Sequence, residues 1–248
     1  MESTHDLRLA VLIDADNVSS VHVKPMMEEI AKYGRPTFKR IYGDWTSSSL
    51  TGWKKVLLES AITPVQQFGY TSGKNSTDVA MIIDAMDILY TGRVEGFCIV
   101  SSDSDFTRLA VRLKEAGMKI YGMGEKKTPI PFISSCDKFI YLEILNPPKI
   151  DETGAKKQKD KGQNALGKLH SETVRLIRES IVDVADDDGW AFLGDLGNLI
   201  LKKQPDFDPR NYGFRKLVPL VKSIPGIELD ERKTGNKNIT HVFVRTKS

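Results

Sequence analysis

Short apolar runs alternate with amphipathic stretches through the first 145 residues. Leu9–Ile13, Phe38–Tyr42, Pro64–Phe68, Phe97–Val100, Lys119–Gly122 and Phe139–Leu142 read as strands. Between them Val23–Tyr33, Trp53–Ser60, Asp78–Tyr90 and Asp105–Ala116 carry helical spacing. Val11-Leu12-Ile13 and Phe97-Cys98-Ile99-Val100 are apolar at every position, whereas a strand with one wet face would alternate. Buried strands separated by helices predict an α/β domain, a mainly parallel sheet with helices on both faces. Ligands of such sheets sit in the crevice beyond the carboxyl ends of the strands.

The pattern then changes. Pro147–Lys168 has almost no apolar residues and cannot bury enough surface to order itself, so a flexible linker is expected. Beyond it Val174, Ile177, Ile181 and Val184 follow a helical period, and Phe192–Lys202 and Pro209–Val221 predict two more helices. Ile227–Glu231 and Ile239–Arg245 flank Lys233-Thr234-Gly235-Asn236, a hairpin signal. Three helices and a hairpin predict a small winged-helix domain. The expected division is 1–146, a linker at 147–168, and 169–248.

Composition adds little until charge is located. Among 248 residues, 40% hydrophobic and 28% charged fit a globular protein. No apolar run is long enough for a bilayer, and MESTHDLRLAVLID lacks the features of a signal peptide, so a cytoplasmic location is expected. Cys98 and Cys136 fall in or near strands and should be reduced and buried; with four scattered histidines they make no zinc spacing. Residues 151–248 hold 18 Lys and Arg against 15 Asp and Glu, and the remainder is balanced, so the whole net charge of +3 is C-terminal. That excess is mild and points only weakly to nucleic acid. The linker lysines read first as solvated charges.

Carboxylates end the strands. Asp14-Ala15-Asp16-Asn17 follows the first, Gly43-Asp44 the second, and Ser101-Ser102-Asp103-Ser104-Asp105 the fourth, while Asp78 opens a helix. In a parallel sheet these groups share one edge. Two carboxylates about 4 Å apart repel by roughly 4 kcal/mol at an effective dielectric near 20, and a helix N-terminus offsets about 1 kcal/mol. Either pKa values rise or a cation binds, and oxygen donors without His or Cys favour Mg2+ or Mn2+. Asp103 is expected to face the ion, and Asp105 to join it or cap the helix. One Asp after a strand is ordinarily a cap; several at successive strand ends are not. Asp44 follows a glycine, and Gly-Asp also makes turns. Asp84 and Asp87 lie away from Asp78 by helical angle and should meet solvent. Asn17 turns the chain or steadies a ligand, and Lys74 beside an acidic edge suits a phosphate. A rival reading treats Asp14 and Asp16 as the D-x-D-x-[TV] pair of a haloacid-dehalogenase-like phosphatase. The later acidic pair of that class is missing after Tyr121-Gly122-Met123-Gly124-Glu125.

VLIDADN, GKNSTDVAMIIDAMD, CIVSSDSDF and FIYLE, in that order, resemble the NYN domain, also called LabA-like, of the PIN-like nuclease superfamily. The resemblance covers roughly residues 7–145. It implies a metal-dependent ribonuclease fold with Asp14, Asp78 and Asp103 as core acids and Asp105 beside them. Ser102 stands where such domains usually carry glycine. FLGDLGNL at 192–199 and FDPRNYGFRKL at 207–217 resemble the OST-HTH, or LOTUS, domain, which implies RNA binding or a protein partner. Arg210, Arg215 and Lys216, with Lys222, Arg232, Lys233 and Lys237, then become candidates for phosphate contacts; the plainer account is a solvated face over Tyr212 and Phe214. The expectation is a divalent-metal-dependent ribonuclease with Asp14, Asp44, Asp78 and Asp103 on the metal and an RNA-binding C-terminal domain. A non-catalytic RNA adaptor is the alternative.

Overall fold

The computed structural model describes residues 6–68, 76–145, 169–233 and 240–247. The chain divides into two compact units, Met1–Pro148 and Lys149–Ser248. In the first, the elements run β1 (Arg8–Asp14), α1 (Val23–Ile30), β2 (Arg35–Gly43), α2 (Trp53–Ser60), β3 (Thr63–Gln66), α3 (Ser76–Tyr90), β4 (Gly96–Val100), α4 (Thr107–Glu115), β5 (Lys119–Gly124), α5 (Ile130–Ser135) and β6 (Lys138–Tyr141). The sheet order is β3-β2-β1-β4-β5-β6, with every pair parallel. Sequence periodicity missed α5, a six-residue helix with a proline in its first turn.

Alternate residues of β1 serve two cores. Leu9, Val11 and Ile13 meet α1 and α2 through Val23, Met26, Ile30, Trp53 and Leu57. Ala10 and Leu12 meet α3, α4 and α5 through Met81, Ala85, Leu109, Leu113 and Phe132. Each such aliphatic or aromatic side chain contributes roughly 1.5–3 kcal/mol by leaving water, which is why β1 has no polar position between Leu9 and Ile13. Cys98 and Cys136 are free and buried as expected. Burial pushes both thiols up, Cys136 to about 12, which keeps them unreactive.

The same alternation places the strand ends. Val11 pairs with Cys98 and Ile13 with Val100. One step further, Asp14 and Ser101 face the side of the sheet covered by α3 and α4. The strand order reverses between β1 and β4, and α3 is the crossover that returns the chain to the middle of the sheet.

Asp84 departs from its expected exposure. It is half-buried and accepts hydrogen bonds from the Arg40 guanidinium and the Tyr42 hydroxyl, both on β2. Its helical angle does turn it from Asp78, but α3 packs on both β1 and β2, so that direction leads to protein and not to water. Burial and Asp84 push the Tyr42 hydroxyl far above its ordinary value of 10.0. Asp87 is exposed, as its spacing predicts.

The second unit contains α6 (Ser171–Val184), β7 (Ala191–Phe192), α7 (Leu193–Lys203), α8 (Leu217–Lys222), β8 (Ile227–Lys233) and β9 (Thr240–Thr246). Its three strands form an antiparallel sheet in the order β7-β9-β8. Ile177, Ile181, Leu196, Ile200, Leu220 and Val244 make its core, with Tyr212 and Phe214 packed alongside. The single helix expected over Pro209–Val221 is two pieces: a 3-10 turn at Pro209–Tyr212 and α8. Gly213 separates them at φ +82°, a left-handed conformation that a helix interior excludes. The expected linker 147–168, Lys74, Lys237 and the hairpin residues 234–236 lie outside the described residues.

Asp84→Ala strands Arg40 and Tyr42 against α3. We expect the urea midpoint to fall by the equivalent of about 1–3 kcal/mol with unchanged slope, while Asp87→Ala shifts stability by less than about 0.5 kcal/mol.

Candidate functional site

Asp14 closes β1 and is 1% exposed. Its Oδ1 accepts from the Asp16 N–H at 3.0 Å. Its Oδ2 accepts from Asn17 Nδ2 at 2.7 Å and from the Ser101 hydroxyl at 2.8 Å. The Ser101 oxygen in turn accepts from the Asp103 N–H at 3.1 Å. One buried hydroxyl therefore joins the carboxyl ends of β1 and β4.

The cap, which was expected of Asp105 as one of two roles, falls instead to Asp103. Its backbone is extended, and its Oδ1 accepts from the Asp105 N–H at 2.9 Å, starting the 3-10 turn Ser104–Phe106 that leads into α4. Asp105 follows in that turn. Asp78 lies in the first turn of α3 and is buried. The two helix starts thus bring Asp78, Asp103 and Asp105 together, one carboxylate oxygen from each within 4.8 Å of the others.

Charge follows geometry. Burial raises the pKa of Asp14, and hydrogen bonds from Ser101 and Asn17 pull it partly back. Asp78 is pushed up to about 6, first by burial and then by the charges of Asp14, Asp103, Asp105 and Asp16. Every donor is a carboxylate oxygen and none is His or Cys, a set that fits a hard divalent cation such as Mg2+ or Mn2+. Such an ion would relieve the repulsion recorded in Asp78.

The other expected residues lie elsewhere. Asp44, expected on the metal, sits in the turn after β2, where its Oδ1 accepts from Thr46 and Gln66; it is not in the three-carboxylate group. Asn17 steadies Asp14 itself. In the second unit Arg210 forks onto Asp208, with N–O distances of 2.9 and 2.7 Å, while Arg215 and Lys216 are exposed before α8. Sequence reasoning overlooked Ser101 as the hub; a serine continuing a buried strand was the signal, since a buried hydroxyl needs partners. Ser102, noted from sequence only as standing where glycine is usual, accepts from the Glu125 N–H at 2.9 Å and so ties β4 to the end of β5. A cleft of about 380 Å3 is lined by Asp16, Asn17, Ser49, Trp53, Glu125 and Lys127; Asp14, Asp78, Asp103 and Asp105 are not among its lining residues.

Residues 8–143 match the NYN domain. The chain belongs to the NYN domain family. This is a PIN-like nuclease domain, and its match takes in Asp14, Asp78, Asp103 and Asp105. Residues 164–239 match the OST-HTH/LOTUS domain, an RNA-binding type. Among solved structures, a Vibrio parahaemolyticus protein of unknown function is similar, at 19% identity and a TM-score of 0.48 over 56% of this chain and 94% of its own. An uncharacterized Nitrosomonas europaea protein is similar at 29% identity and a TM-score of 0.30, over 40% of this chain and 93% of its own. No curated protein matches.

The folded pKa of Asp78, about 6, lies above its ordinary value of 3.8, so the native state holds the extra proton between them. Stability of the metal-free protein should therefore fall as pH rises through that window. Urea midpoints measured across it should show this component in the wild type and lack it in Asp78→Asn.

Proposed function

We propose that this NYN protein is a divalent-metal-dependent ribonuclease that hydrolyses RNA phosphodiester bonds, with RNA also held by its OST-HTH/LOTUS domain. The observation that carries the reading is the meeting of Asp78, Asp103 and Asp105 at two helix starts, with Asp14 buried alongside. Asp78 and Asp103 would hold Mg2+ or Mn2+, with Asp105 beside them. A divalent ion bound there would supply Lewis-acid stabilisation of charge on phosphoryl oxygens and a more nucleophilic water at neutral pH. Asp105, the most exposed of the three, takes up the proton of the attacking water. Asp14, Asn17 and Ser101 fix the positions of the strand ends. The cleft lined by Asp16, Asn17, Glu125 and Lys127 takes a flanking part of the RNA.

Asp14 as a phosphatase nucleophile finds no support: it is buried, and both its oxygens accept hydrogen bonds. Arg215 and Lys216 add phosphate contacts, and a second RNA-holding unit on the same chain raises the local RNA concentration. We place the reaction in the cytoplasm, in keeping with two free buried cysteines. Among the described residues no helix is long and apolar enough to cross a membrane.

Incubation of the purified chain with a mixed RNA pool and Mn2+ or Mg2+ should give products that disappear with chelator. Asp103→Asn should keep the fold and lose about 100-fold or more in rate, a loss of several kcal/mol in the transition state. Cutting by Asp103→Asn at the wild-type rate would refute the acidic centre, and metal-independent retention of intact RNA would make the protein an adaptor. Removing residues 151–248 should leave turnover nearly unchanged at saturating RNA, while apparent affinity falls and depends less on salt.

A further inference from the structure

The sheet of the second unit has one face in the core and one outside. Ala191 of β7 and Val244 of β9 are fully buried. By alternation Phe192, Phe243, His241 and Arg245 fall on the opposite face, where Phe192 pairs with Phe243. The rings there are contiguous: the Phe192 centroid is 5.7 Å from Phe243 and 5.2 Å from His241, and Phe192 is 36% exposed. Two guanidiniums lie against the rings. Arg232 is 4.1 Å from the Phe243 centroid and 5.5 Å from Trp190, and Arg245 is 4.6 Å from Trp190. Both are held in place by acids of β8, Arg232 by Asp230 at 2.8 Å and Arg245 by Glu228 at 2.7 Å.

We propose that this outer face of the β7-β9-β8 sheet is a stacking platform for unpaired RNA bases. Its side chains are aromatic or charged, with no aliphatic residue among those that β8 and β9 place there. Aromatic rings take a base of any identity, because every base has a π face. Guanidiniums stack on bases as well as rings, and each has five N–H donors, so an arginine already tethered to one carboxylate still has donors for a phosphate. Bases in a duplex are stacked on one another, so the platform selects unpaired segments. The inference rests on the reading that this domain holds RNA, and it adds a base-stacking surface on the sheet to the phosphate contacts of Arg215 and Lys216.

The test uses the full chain in chelator, so that binding is read without cleavage, and follows fluorescence anisotropy of a labelled oligoadenylate and of an RNA duplex of equal length. The wild type should bind the single strand and discriminate against the duplex. Phe192→Ala with His241→Ala should weaken single-strand binding by about 10-fold or more, while Phe192→Tyr keeps it. Arg232→Gln should weaken it and lower the salt slope by about one. Thermal melts of these exposed-site variants separate loss of binding from loss of fold. Ring variants that bind like the wild type, with affinity lost instead in Arg215→Gln/Lys216→Gln, would overturn the platform and leave RNA binding standing. Equal affinity for the duplex would also overturn it. A wild type that binds neither RNA would remove the RNA reading, and the platform with it.

Discussion

A parallel sheet covered on both faces has no room for charge except at its ends. Here the covering is complete enough that β1 is apolar from Leu9 to Ile13 and β4 from Phe97 to Val100. Charged groups must therefore gather where the strands stop, and the reversal of strand order between β1 and β4 leaves the opening there. The pairing of Ile13 with Val100 then decides which side chains meet. A slip of one residue would send Asp14 into the α1 side of the sheet and part it from Ser101, α3 and α4.

Once brought together, the acids are held by opposing forces of similar size. Repulsion and burial act against ionisation, most visibly at Asp78. Hydrogen bonds from Ser101, Asn17 and the Asp16 amide stabilise the charge of Asp14, and two helix starts receive Asp78 and Asp103. The balance leaves the site strained in charge but not in backbone: among the described residues outside glycine, only Ala61 has positive φ, and it ends α2, away from the acids. Asp103 shows how closely structure and chemistry are joined, since the same side chain caps the turn and presents an oxygen to the cluster.

Much of this was legible in the sequence, for identifiable reasons. Unbroken apolar runs mark doubly buried strands, so the sheet and its principal helices could be read, and acids after successive strands mark the edge. What could not be read depended on contacts between distant segments. The place of Asp84 follows from α3 leaning on β2, which no helical angle encodes. Asp44, by contrast, turns into its own loop through Thr46, two residues on, as its Gly-Asp start allowed, and Gln66, twenty-two residues away, adds a further donor. The break at Gly213 was available locally, but the apolar spacing around it concealed it. Ser101 looked like a small residue in a motif until its hydroxyl had two partners.

The bond between Ser101 and Asp14 spans 87 positions of sequence. Everything between them, three strands and three α-helices among the described residues, has to be in place before the two strand ends can meet. Loop closure of that length and parallel pairing are slow steps in folding. The acidic centre is thus among the last features a growing chain acquires: a nascent or truncated polypeptide ending before β4 possesses Asp14 and Asp78 but nothing to gather them. Competence arrives with completion of the domain, not in instalments.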